Sequence, residues 1–141
     1  MMNSFKMTTM LLLVASIQFY PTKNHVITTS KTSNITIQNL SKKWKLEEYK
    51  VYFFSEAPAE NERNDYIYLK SDLTFDSISE GEFEAGRWRL DAKKKRIYLS
   101  KENVAGEIAF IIDELEPEKL VLIIDDPSDS DAQYLKIHFK I

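Results

Sequence analysis

The segment Ala85-Gly86-Arg87-Trp88-Arg89-Leu90, followed by the charged run Asp91 to Lys95 and then Ile97-Tyr98-Leu99, decides the fold. Trp88 and Leu90 alternate with Arg87 and Arg89, the two-residue period of a strand with one buried face. The charged run is a turn, so the segment reads as a hairpin. The same pattern extends in both directions. Ile67 and Leu69 alternate with Tyr66, Tyr68 and Lys70, and Lys70-Ser71-Asp72 reverses the chain into Leu73-Thr74-Phe75. In the last strand Leu135, Ile137, Phe139 and Ile141 face inward, with His138 and Lys140 outward. Strands broken by turns roughly every 8–12 residues from Trp44 to Ile141, with no long helical period, predict a small antiparallel barrel or sandwich.

Two places break the simple alternation. Trp44 and Leu46 share one phase whereas Tyr49, Val51 and Phe53 share the other, so the first strand must bulge near Glu47 and Glu48 to bring both sets to the core. Further on, Ile108-Ala109-Phe110-Ile111-Ile112 and Leu120-Val121-Leu122-Ile123-Ile124 are apolar on both faces and are joined by a turn containing Pro117. With Phe110 and Leu122 inward, Ile111, Val121 and Ile123 form an outer apolar patch that a second chain or the N-terminal helix must cover. That helix is short: Ile37, Leu40 and Trp44 recur at spacings of three and four, which predicts one turn or two and the only helix of the body.

A chain of 141 residues, 43% hydrophobic and 29% charged, bounds one domain with one core. A net charge of -3 argues against a nucleic-acid partner or an anionic membrane surface. At the N-terminus, Lys6 precedes an uncharged, largely apolar run from Met7 to Ile17. Such a run covers about 16 Å as a helix against the roughly 30 Å of bilayer hydrocarbon, too short for an integral membrane span. Residues 1–20 therefore read as a cleaved signal peptide, and the protein as exported to the periplasm or the extracellular space. Residues 21–34, with the polar run Thr28 to Ser33, read as a flexible leader, and 35–141 as the folded domain.

Chemistry-bearing motifs are sparse. The two histidines are His25 in the leader and His138 on the outward phase of the last strand, which leaves no basis for a catalytic triad or a histidine metal site. Asp125, Asp126, Asp129 and Asp131 share a loop with Ser128 and Ser130 but lack the Gly and the terminal Glu of a calcium loop, so they read as a solvated turn. Lys93-Lys94-Lys95-Arg96 reads the same way. Tyr66, Tyr68, Tyr98 and Tyr134 fall on the phase opposite the core and form either an aromatic strip or ordinary sheet surface. No enzyme, cofactor or metal is expected.

Leu40-x-x-x-Trp44 at the first strand, Leu73-Thr74-Phe75, Gly86-x-Trp88-x-Leu90-Asp91 and Ile97-x-Leu99 together resemble the small secreted lipocalin-like domains of bacteria over roughly residues 37–141. Where that family carries Gly two residues before the first Trp, this chain has Lys42; Gly86 and Trp88 are the closer match. The resemblance implies an all-β, eight-stranded antiparallel up-and-down meander barrel with a short N-terminal helix behind the first Trp. By analogy with lipocalins it also implies a small apolar ligand at the barrel mouth. Trp44, Leu69, Phe75, Trp88, Phe110 and Phe139 are then the expected interior ligand-facing residues, with a filled base and a shallow cup. The alternative is a protein-interaction or structural module that uses Ile111, Val121 and Ile123 to meet a protein partner or to form a homodimer.

Overall fold

The computed structural model describes residues 33–141. The expected signal peptide and all but the end of the expected leader lie outside the described residues. The chain enters at the base of a barrel, where the Ser33 N–H donates to the Leu115 carbonyl at 2.7 Å, and forms α1 (Ile37–Leu40). Thr36 caps α1, its hydroxyl oxygen accepting from the Asn39 N–H at 3.1 Å. Nine strands follow: β1 (Lys43–Val51), β2 (Phe54–Glu56), β3 (Tyr66–Leu69), β4 (Thr74–Ser79), β5 (Glu82–Asp91), β6 (Arg96–Lys101), β7 (Ile108–Glu116), β8 (Lys119–Ile124) and β9 (Leu135–Lys140). β1 pairs with β3, each later strand pairs with the next, and β9 returns to β1, so eight antiparallel strands close as a meander.

The bulge in β1 lies where the two hydrophobic phases meet. Pairing with β9 shifts between Leu46 and Glu48, which keeps Leu46 opposite Phe139 and Tyr49 opposite Ile137 on the inner face. Phe53 does not follow this phase inward: β1 ends at Val51, Tyr52 turns with a φ of 54°, and Phe53 is fully exposed. The next residues form β2, which pairs only with the upper part of β1 and stands outside the closed ring. Two 3₁₀ turns, Glu60–Glu62 and Ala132–Tyr134, add to the single helix expected.

Opposed residues on neighbouring strands share a face, so the register traces the interior directly. Trp44, Ile67 and Ser77 form one inward row, and Leu69, Phe75 and Gly86 the next. The core unites Leu40, Trp44, Leu69, Phe75, Trp88, Ile97, Leu115 and Leu120, among others. Side chains without accessible surface border no void able to hold water, so this lower half is filled. Both indoles fasten its floor: Trp44 Nε1 donates to the Leu40 carbonyl at 2.9 Å and Trp88 Nε1 to the Lys70 carbonyl at 2.8 Å. Among the described residues no helix is long and apolar enough to cross a membrane.

The three residues of the expected outer patch lie on the outer face but differ in exposure. Val121 lies there between the buried Leu120 and Leu122, yet its exposure is 0%, and Ile111 and Ile123 are half-buried. The register sets Val121 between Glu114 and His138, and Ile123 between Ile111 and Lys136. Next to Val121 on the outer face, Lys119 pairs with Glu114 at 2.8 Å, and Lys136 of β9 with Asp113 of β7 at 2.7 Å. Val121 is thus already buried within the single chain, whereas Ile111 and Ile123 keep part of their surface open. His138, expected outside, is on the outer face but only 6% exposed.

Candidate functional site

The expected interior residues divide into two groups. Trp44, Leu69, Phe75 and Trp88 are buried in the filled base and face no open space. Phe110 and Phe139 are partly exposed and pack against the core from opposite ends. At the end of the barrel away from α1, inward-facing side chains are half-exposed on three adjacent strands; at the base the half-buried inward residues Leu90 and Phe139 lie on strands that do not adjoin.

That mouth has two unlike walls. On β7, β8 and β9 the inward residues are Ile108, Phe110, Ile124 and Leu135, all half-buried, with Leu135 opposite Val51 of β1. On β4, β5 and β6 they are Ser77, Glu84 and Lys101, the inward rows of the base continued upward into polar residues. Lys101 and Glu84 form an ion pair at 2.6 Å. Sequence periodicity places such residues on the inner phase, but only the register brings them to the same end.

Between the walls, Tyr49 donates its hydroxyl to Glu62 Oε1 at 3.0 Å, and the other oxygen of Glu62 accepts from the Ala59 N–H at 2.9 Å. Burial, and then the charge of Glu62, pushes the Tyr49 hydroxyl well above the usual phenol range. Asp65 precedes β3 in phase with the inward Ile67 and is only 6% exposed. Its Oδ2 accepts from the Glu80 N–H at 2.8 Å, whereas Oδ1 is buried with no partner. Burial holds this carboxyl above its ordinary value, against the pull of the Glu80 and Gly81 N–H groups.

The rim is aromatic and acidic. Tyr52, Phe53 and Phe54 at the β1–β2 hairpin, Phe83 after the β4–β5 turn, Val104 in the β6–β7 loop and Tyr134 before β9 are all exposed. Tyr52 stacks on Tyr134 at 4.9 Å between ring centres, joining two of the rim loops. The β8–β9 loop carries Asp125, Asp126, Asp129 and Asp131 and no cation; the β2–β3 connection carries Glu60, Glu62 and Asp65 against Arg63. The opposite end is basic, with Lys42, Lys70, Lys93, Lys94 and Lys95 in its connections.

Two surface concavities complete the picture. A groove of about 620 Å³ at the base runs between α1 and the β3–β4 turn, past Ile37, Ser41, Tyr68 and Lys70. A smaller one of about 290 Å³ lies beneath the β8–β9 loop, with Ile111 and Ile124 among its walls. The tyrosine strip is largely occupied: Lys43 Nζ lies 3.9 Å from the centre of the Tyr66 ring, and Arg89 lies 3.6 Å from that of Tyr98 while bridging Glu107. Among the described residues no group of acidic and histidine side chains is arranged to hold a metal ion.

The architecture matches solved structures. A lipocalin-like protein from Bacteroides uniformis superposes with a TM-score of 0.52 at 17% identity, covering 72% of this chain and 97% of that one. A DUF4847 family protein from Bacteroides vulgatus gives a TM-score of 0.52 at 12% identity, covering 72% of this chain and 92% of the other. No protein-family model matches the sequence, and no curated protein does. At these identities the likeness is one of fold, and the chain has the lipocalin-like barrel.

Proposed function

We propose that this protein is an exported, non-enzymatic binding domain that holds a small apolar ligand in the barrel mouth. The observation that carries the reading is the contrast between the two ends. At the base Trp44, Leu69, Phe75 and Trp88 are closed off, with Leu90 and Phe139 half-buried at its edge, whereas at the mouth Ile108, Phe110, Ile124 and Leu135 lie half-exposed on three adjacent strands and face a polar wall. Apolar surface kept partly open on a rigid frame, with a few convergent polar groups opposite, has the usual composition of a ligand site. Export rests on Lys6 and the apolar run Met7 to Ile17.

Titration of the protein with 1-dodecanol, followed through backbone amide resonances, tests the site. The largest shifts are expected at Val51, Ile108, Phe110, Ile124 and Leu135, with those of Trp44 and Trp88 unmoved. Shifts confined to the groove by Ile37 and Tyr68 would overturn the reading. N-terminal sequencing of the protein from its producing cell tests export, and an intact Met1 in the cytoplasm would refute it.

A further inference from the structure

The mouth has a charge preference as well as an apolar wall. Its loops are almost uniformly acidic, and its polar wall contributes a cation, Lys101, that Glu84 already neutralises at 2.6 Å. Asp65 supplies a separate observation: a side chain more than nine-tenths buried, on the inward phase beside Tyr49 and Glu62, with one oxygen lacking any donor. Buried carboxylate oxygens are ordinarily satisfied, so an orphan at a binding mouth marks a place for a donor from outside. The exposed Tyr52, Phe53 and Phe54 offer ring faces that attract cations.

We infer that the mouth selects a cationic amphiphile, its ammonium or guanidinium group set against Asp65 and Glu62 and its apolar body against Ile108, Phe110, Ile124 and Leu135. This rests on the mouth being the ligand site. Charge complementarity decides the class: an anionic headgroup would meet the carboxylates of the rim, and a neutral hydroxyl could donate to Asp65 Oδ1 but would bring no charge to offset them. The local potential agrees, because the charges of Glu62, Asp65 and Glu80 all act to keep the Tyr49 proton in place.

The test compares dodecyltrimethylammonium, dodecylammonium, 1-dodecanol and dodecanoate, each below its micelle concentration, against the full chain by calorimetry. Dodecylammonium should bind about tenfold more tightly than dodecanol. Dodecanoate should bind most weakly, and the preference should shrink as salt rises. Dodecyltrimethylammonium separates simple charge attraction from hydrogen bonding, and should bind more weakly than dodecylammonium but more tightly than dodecanol. Glu62→Gln and Asp65→Asn should each lower dodecylammonium affinity about tenfold and dodecanol affinity by clearly less. The amide introduced by Asp65→Asn keeps an oxygen for the Glu80 N–H, and thermal unfolding verifies that each variant is folded. Equal affinity for dodecanol and both cations would overturn the charge preference while leaving the ligand site intact. Tightest binding of dodecanoate would overturn it in favour of Lys101 as an anion receptor. Binding of none of the four would overturn the ligand-site reading itself.

Discussion

Trp88 is nearly inaccessible, and its indole N–H reaches the carbonyl of Lys70 in the β3–β4 turn, so one side chain fills the base and fastens a connection. Trp88→Ala should therefore cost about 3–5 kcal/mol in denaturant unfolding. Trp88→Phe should cost less, since it keeps most of the ring and loses the hydrogen bond; a loss below about 1 kcal/mol for the alanine variant would contradict the packing. His138 makes a different argument. Burial, and then the charge of Lys50, holds its pKa below the ordinary 6.5, with Glu48 at 4.0 Å only partly opposing them. The unfolded chain then takes up a proton that the folded chain refuses. Its contribution to stability is complete above about pH 6.5 and declines as pH falls below that value. His138→Gln should flatten this part of the stability profile, and identical slopes in the two proteins would assign the acid sensitivity elsewhere.

At the scale of the elements, Gly86 shows why one residue in β5 has no side chain. A Cβ there would fall inside the van der Waals envelope of the Ser100 carbonyl of β6, a backbone atom that moves only if the two strands separate. Gly86→Ala should cost about 1–3 kcal/mol, measured by urea unfolding, whereas Gly81→Ala strains only a turn with a φ of 81° and open space around it. The outer face of β8 supplies a second contrast. Val121 has no exposed surface and Ile123 is half-buried, so Val121→Lys should cost about 3 kcal/mol or more and Ile123→Lys under about 1 kcal/mol. The sedimentation mass of Ile123→Lys should equal that of the wild type; a fall in mass would show a dimer through this face.

At the scale of the whole molecule, the parts legible in the sequence were those that one strand records about itself. The bulge after Leu46 is visible because two phases collide within β1, and the inward Trp88 because arginines flank it. β2 is not legible, since Phe54-Ser55-Glu56 is too short to alternate, and neither is the burial of Val121, which depends on neighbours that the register brings from β7 and β9. The polar wall was hidden for a similar reason: Ser77, Glu84 and Lys101 are far apart in the chain, and only barrel closure gathers them. What results is a barrel with separate ends. The core, α1 and both indole hydrogen bonds lie at the base, whereas the exposed Phe53 and Phe54 sit in the turn and in β2, outside the closed ring. Replacing both with Ser removes aromatic surface from the rim without opening the core. The double variant should unfold within about 0.5 kcal/mol of the wild type, against about 3–5 kcal/mol lost by Trp44→Ala. It should also bind dodecylammonium several-fold more weakly. A large stability loss in the double variant would mean that the rim hairpin holds the barrel together, and stability and recognition would then share one end.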